Sequence, residues 1–309
     1  MKTSDFDYEL PEERIASHPL KDRTSSKLLV YADGATKHDV FANLVKHLPP
    51  KCLLILNDTK VIAARLKMVG SRGDEIEIFL LEPYNQDYVS AFAAQGSANW
   101  LAMVGGRKKW KAEEEVFLDA ELDFDLRATW ADREHNIVKL EWEPAKYTFS
   151  EVLSLAGNVP LPPYIKRRTN KTDRSSYQTV FAAKEGAVAA PTASLHITEE
   201  LLGQLAAAGH EIAKVTLHVS AGTFKPVSTE LMEEHEMHKE YYEARQETLG
   251  KLAAWDGPIV AVGTTALRTL ETLFWRGASL ATGGPDMEVM EQDFAYTAPK
   301  AVGEIGRAH

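Results

Sequence analysis

A chain of 309 residues, 44% hydrophobic and 26% charged, is long enough for two domains or one large one and has a globular composition. One cysteine, Cys52, excludes an internal disulfide and a thiolate metal site, and a net charge of −10 argues against broad, non-specific binding to nucleic acid. The polar, acidic start MKTSDFDYELPEE and the shortness of every apolar run predict no secretory signal, no membrane span and a cytosolic chain.

The first sixty residues read as a capped start, a helical pattern and a buried strand over 52–56, in which Cys52 is a small core hydrophobe. Asn57-Asp58-Thr59 follows directly. Polar residues at the end of an α/β strand are placed for ligand contact, and the same tripeptide also makes a simple Asx turn, so both readings stand. From about 64 to 142 the texture changes. Short β-like runs at 75–81, 88–93, 101–104, 115–118, 124–130 and 136–142 alternate with turn clusters, which predicts a small all-β barrel or sandwich. After Tyr147 helix and strand patterns alternate again, led in by a stiff segment at Pro160, Pro162 and Pro163. The predicted layout is a discontinuous α/β domain over 1–63 and 148–309, with a small β domain inserted over 64–147.

Basic residues group twice: Lys166, Arg167, Arg168, Lys171 and Arg174, and Arg107, Lys108, Lys109 and Lys111 beside Trp100 and Trp110. Each group alone reads as a solvated loop. Two on an acidic background point to a polyanion footprint.

The segment 189–226, AAPTASLHITEELLGQLAAAGHEIAKVTLHVSAGTFKP, is the most informative. Thr198 is a good helix N-cap, with Glu199 and Glu200 in the favourable first turn. Leu201, Leu202 and Leu205 form an apolar stripe, and Gly209 is the stop. Residues 211–219 alternate, with Ala213, Val215, Leu217 and Val219 on one face and Lys214, Thr216 and His218 on the other. Then comes a tight polar turn over 220–223. His196 and His218 both sit among small residues and hydroxyls, where an imidazole moves a proton near neutral pH. One such histidine reads as bonded to nearby backbone; two in similar settings mark a site.

Glu234, His235 and His238 are at helical spacing, which puts both imidazoles on one helix face. His235-Glu236-Met237-His238 is one residue short of a zinc-protease motif, with Lys239 in the position that needs histidine, so acid–base or RNA contact is the reading rather than zinc. Residues 258–262, then Gly263-Thr264-Thr265, then 266–275 read as strand, turn and helix. Such a turn offers free backbone N–H groups to a carboxylate or phosphate, unless Thr265 is simply the N-cap. Arg268 is a cation in the first helical turn, a poor place on dipole grounds, which points to gripping a carboxylate. No GxGxxG or GxxxxGK[ST] run is present.

The motifs FDYELPEERIASHPLKDRTSSKLLV, LNDTKVIAARL, PLPPYIKRR with DRSSYQTVFA, APTASLHIT, VTLHVSAGTF, EEHEMHKEYYE and VAVGTTALRTLET occur in order, from the N-terminus to about residue 272. Together they resemble the S-adenosylmethionine:tRNA ribosyltransferase-isomerase family of the queuosine pathway. The resemblance implies a large β-barrel-containing α/β domain interrupted by a small all-β barrel domain. It implies transfer of the ribosyl part of S-adenosylmethionine to the aminomethyl-deazaguanine wobble base of tRNA. Adenine and methionine leave, and the ribose rearranges to an epoxycyclopentane, giving epoxyqueuosine. The sulfonium acidifies the adjacent ribose carbon, so a general base starts the reaction.

By the same resemblance Asp58, His196, His218 and His235 carry the acid–base chemistry, with His196 or His218 as base and Asp58 as orienter or acid. Asn57, Thr59, Arg65, Tyr164, Lys166, Arg167, Arg174, Tyr177, Thr192, Gly222, Thr223, Gly263, Thr264, Thr265 and Arg268 contact substrate. No metal is implied, and S-adenosylmethionine is a substrate rather than a resident cofactor. The partner is a tRNA with a queuosine-type anticodon, with no membrane partner, and the enzyme is expected as a cytoplasmic monomer.

Ser194 and Ser220 stand where the family usually has glycine, and Ile197 where it has phenylalanine, so a narrower pocket is expected. Family members usually continue further, and the glycine-rich, acidic tail over 278–309 finds no match, so a missing terminal element is expected. Two alternatives stay open: a non-catalytic RNA-binding relative, and a related transferase acting on another nucleoside.

Overall fold

The computed structural model describes residues 1–162, 164–167, 169–170, 172–224 and 227–297. Strands β1 (Lys27–Ala32) and β2 (Ala35–Val40) form an antiparallel hairpin. Its two-residue turn, Asp33-Gly34, has positive φ at both positions, the geometry that matches strand twist. The predicted helical pattern follows as a 3-10 stretch, Phe41–His47.

Strand β3 (Leu53–Asn57) is buried at every residue, and β4 (Thr59–Val61) follows after Asp58. Next come β5 (Arg65–Gly70), β6 (Glu75–Pro83), helix α1 (Tyr88–Ala93), β7 (Ser97–Gly105), β8 (Val116–Leu118), β9 (Asp125–Asp132) and β10 (Ile137–Glu143). These six strands close into a barrel in the order β10-β7-β6-β5-β8-β9. Closure leaves no free edge. Alternate residues fill its interior, among them Leu66, Met68, Ile76, Ile78, Trp100, Val138 and Trp142.

Residues 88–93, read as a strand, are helical. Asp87 caps the helix by accepting from the Ser90 N–H, and Ala91 and Phe92 bury against the barrel. A local cap and one packed face override the β propensity of tyrosine, valine and phenylalanine.

The chain returns through α2 (Phe149–Ala156), which opens on a Thr148/Glu151 capping box. Then follow α3 (Asp173–Ser176), β11 (Lys184–Ala187), α4 (Glu199–Ala207), β12 (Glu211–Leu217), β13 (Tyr242–Ala244), α5 (Gln246–Ala254), β14 (Ile259–Ala261) and α6 (Thr264–Ala281). Thr198 caps α4 through the Leu201 N–H, and Gly209 adopts positive φ just past its end, as the sequence predicts.

The sheet order is β13-β12-β3-β14, with β12 and β14 parallel to β3 and β13 antiparallel to β12. Period-two alternation splits β3 between two cores. Leu54 and Leu56 pack with Ile197, Leu201 and Leu205, and Cys52 lies beside them. Leu53 and Ile55 pack with Ala213, Val215 and Ala266. The mixed α/β class and the all-β barrel within it are as expected. Outside the barrel the described strands form open sheets: this four-stranded one and the pairs β1-β2 and β11-β4.

Candidate active-site cleft

The C-terminal ends of parallel strands β3, β12 and β14 converge, the usual place for a ligand in an open α/β sheet. Two residues, Val262 and Gly263, separate β14 from helix α6. Its N-cap, Gly263, has φ +88° and supplies no side-chain cap, and the first turn holds no acidic residue. The first N–H groups of any helix lack intrahelical partners, so this end attracts an anion. A Cβ on Gly263 would stand 3.1 Å from that of Ala193, so the small residues let the two loops close up. Beside this end lies a cleft of about 250 Å³. Pro160, Pro162, Tyr164, Tyr177, residues 189–193, Val219, Thr223, Gly263, Thr264 and Thr265 line it.

The cleft thus brings together Tyr164, Tyr177, Thr192, Thr223, Gly263, Thr264 and Thr265 from the sequence candidates. Burial pushes the Tyr177 phenol up, against the pull of nearby Arg167. Gly222 sits just behind Thr223, and the His238 ring occupies the space where a Cβ would be.

Other candidates are committed elsewhere. The Asn57 side chain accepts from the N–H groups of Leu217 and Thr59 and donates to the Leu217 carbonyl, clamping β3 to β12. Asp58 accepts the Thr216 hydroxyl at 2.6 Å and lines a different hollow, with Lys214, Arg245 and Lys251. Arg65 lies on the barrel wall, over the Phe79 ring and 3.4 Å from Glu77. Exposed Lys166 pairs with Glu12. Arg167 grips both carboxylate oxygens of Asp173 and the Ser17 carbonyl. Arg174 ties α3 to the carbonyls of Ser154 and Gly157. Arg168 and Lys171 lie outside the described residues. Arg268 does grip a carboxylate, but the protein's own: it pairs with Glu240 at 2.6 Å and donates to the His238 carbonyl.

The histidines part company. His196 lies against the Phe41 ring, and its Nδ1 is 3.2 Å from the Arg23 carbonyl, so that nitrogen donates there; the residue is not among those that line the cleft. His218 is 3% exposed and stacks on Tyr88 at 4.8 Å, with Tyr241 at 5.8 Å on it. Its Nδ1 is 3.4 Å from the Thr59 hydroxyl. Burial holds this imidazole below its usual range, while Glu243 and Asp58 pull it up. The next residue, Val219, lines the cleft. The helix expected to carry His235 and His238 is a single 3-10 turn, Met232–Glu234, and His235 is already extended. Packing across to Gly222, not helical spacing, sets the place of His238.

Sequence reading missed Tyr88, Tyr241 and Glu240. Tyr88 was hidden by the strand reading, and nothing local distinguishes Glu240 from Glu234 or Glu236. The Ser194 and Ser220 hydroxyls are buried with no hydrogen-bond partner among the described residues. Among those residues no group of His, Cys, Asp and Glu is arranged to hold a metal ion, and no helix is long and apolar enough to cross a membrane.

Fold and cleft together define an α/β protein with an enzyme-type cleft at a strand–turn–helix junction. A family profile described as "Queuosine biosynthesis protein" matches residues 3–292, and the chain belongs to that family. The match runs past residue 272 and takes in the tail as far as residue 292. An S-adenosylmethionine:tRNA ribosyltransferase-isomerase of Anaeromyxobacter sp. (strain Fw109-5) is 42% identical over 287 residues, 92% of this chain and 79% of that protein. The enzyme of the same name from Chlorobaculum parvum is 42% identical over 88% of this chain and 76% of its own length. A crystal structure titled S-adenosylmethionine tRNA ribosyltransferase, from Thermotoga maritima, is 29% identical, covering 87% of this chain and 72% of that one with a TM-score of 0.37.

Proposed function

We propose that this chain is an S-adenosylmethionine:tRNA ribosyltransferase-isomerase that makes epoxyqueuosine at the tRNA wobble position, releasing adenine and methionine. The observation that carries the reading is family membership over residues 3–292 together with relatives of that name at 42% identity. The cleft at the start of α6 is the donor site. The uncapped helix end, with Thr264 and Thr265, takes the methionine carboxylate of S-adenosylmethionine. Tyr164 and Tyr177 flank the nucleoside, and Thr192 and Thr223 supply hydroxyls.

His218 is the base in this reading. Burial keeps it neutral near pH 7, the form that accepts a proton, and it adjoins the cleft wall at Val219. Asp58 acts through Thr59 and the local field, not by touching substrate. His196 is left to hold the Arg23 loop. The inserted unit over 64–147 is a domain of its own, supported by strand pairing that closes within it. The working enzyme is a cytoplasmic monomer without a membrane partner.

The test is adenine and methionine release from S-adenosylmethionine, with mass spectrometry of the tRNA. Release is expected with tRNA carrying the aminomethyl-deazaguanine base and absent with unmodified tRNA. A folded sample that releases neither product with the modified tRNA sinks the proposal.

A further inference from the structure

Glu240 is a carboxylate with 6% side-chain exposure outside any strand or helix. One oxygen accepts the Ser220 N–H at 3.0 Å, and the other accepts Arg268 Nη1 at 2.6 Å. Arg268 belongs to the first turns of α6, and its other nitrogen donates to the His238 carbonyl at 2.9 Å. The His238 ring in turn lies against Gly222. The connection therefore runs from α6 through Arg268 to Glu240 and to both ends of the short loop over 220–222. These are the two walls that present Thr223 on one side of the cleft and Thr264 and Thr265 on the other.

We infer that Glu240 is a positioning residue for the donor cleft, holding the 220–223 loop at a fixed distance from the N-terminus of α6. The inference rests on the functional reading above and goes beyond it, since Glu240 touches no lining group of the cleft directly. A charge-assisted pair with a largely buried partner is short and directional, so it fixes geometry in a way neutral contacts do not. Removing one partner leaves the other charge uncompensated, and the loop then loses its anchor to the helix. Arg268, expected in the first helical turn, is the fifth residue of α6, past the turn where the dipole disfavours a cation, and this connection gives it a role.

The experiment compares the whole chain with Glu240→Gln, Arg268→Met and the double variant. Calorimetry gives S-adenosylmethionine affinity, kinetics give KM for each substrate, and circular dichroism checks folding. Each single variant is expected to weaken S-adenosylmethionine binding about tenfold while KM for tRNA stays within about twofold. The double variant should be no weaker than the worse single one, because the second change finds the connection already cut. Unchanged affinity in folded Glu240→Gln, an equal rise in both KM values, or additive losses would overturn the inference. If a variant fails to fold, Glu240→Asp carries the same comparison: it keeps the charge but shortens the reach, and full affinity there would also overturn it. Adenine release by the wild-type chain tests the functional reading alone, so the two can fail separately.

Discussion

His218 is where sequence and structure lean hardest on one residue. As a base it needs its lone pair, whereas as a spacer between Tyr88 and Tyr241 it needs only its ring. His218→Phe separates these roles by keeping an aromatic face. We expect kcat to fall about 10²- to 10⁴-fold with the circular dichroism spectrum unchanged, the usual worth of a placed general base. Full turnover in His218→Phe would make the residue a spacer. The depressed imidazole also has a stability consequence. The unfolded chain titrates near the ordinary value of 6.5 and the folded chain below it, so the unfolded state binds the proton first. Stability is level above about pH 6.5 and falls as pH drops from there towards the folded value. Denaturant titrations at pH 7.5 and pH 5.5 should show that loss in the wild type, and less of it in His218→Phe. Gly186 supports the same ring. Its φ is +145°, and a Cβ there would lie 2.3 Å from His218 Nδ1. Gly186→Ala is therefore expected to cost about 1–3 kcal/mol by overpacking, read as a lower urea midpoint.

Among the elements, α6 carries the anion-attracting end of the cleft, and Gly263 sets how it starts. An L-residue at φ +88° costs about 1–3 kcal/mol, and a methyl would press on Ala193 as well. Gly263→Ala should thus raise KM for S-adenosylmethionine more than it lowers the melting temperature would suggest, and an unchanged KM would place the donor elsewhere. Elements of this kind were legible because their signals are local. The cap at Thr198, the stop at Gly209, the alternation over 211–219 and the strand–turn–helix at 258–275 each rest on neighbours in sequence. Where packing decides, the reading failed. Residues 88–93 became a helix because Asp87 caps them and the barrel covers one face. Thr216 in β12 and His218 just past its end, both on the polar face of the alternating segment, are buried because Asp58 and Tyr88 come to them from distant segments. The site was legible in the same measure. Glycine and threonine turns marked the cleft, but the places of the two imidazoles depend on contacts with Arg23 and Tyr88 that no spacing encodes.

The whole molecule must bring an RNA polyanion to a protein of net charge −10. Composition suggested two basic clusters, and the structure withdraws much of both. Arg167 and Arg174 are engaged with Asp173 and with backbone carbonyls. Arg107 and Arg133 lie over the Trp130 ring and donate to each other's carbonyls, and Lys109 is 3.7 Å from Asp74. Among the described residues of these clusters, the exposed lysines held by at most a surface pair are Lys166, and Lys108, Lys109 and Lys111 at the barrel tip. Lys166 is two residues from Tyr164, which lines the cleft proposed above as the donor site. Its bond to Glu12 is an exposed pair worth little, so a phosphate displaces it readily. Lys166→Glu is therefore expected to weaken tRNA binding and to flatten the salt dependence of log K by about one phosphate contact, a slope change of roughly 0.7–0.9. Lys108→Glu with Lys111→Glu should leave that slope unchanged. Filter binding of tRNA from 50 to 200 mM salt, on the order of the range where such slopes are read, decides it. The reverse pattern, with the barrel-tip pair carrying the slope, would move the RNA footprint onto the inserted barrel.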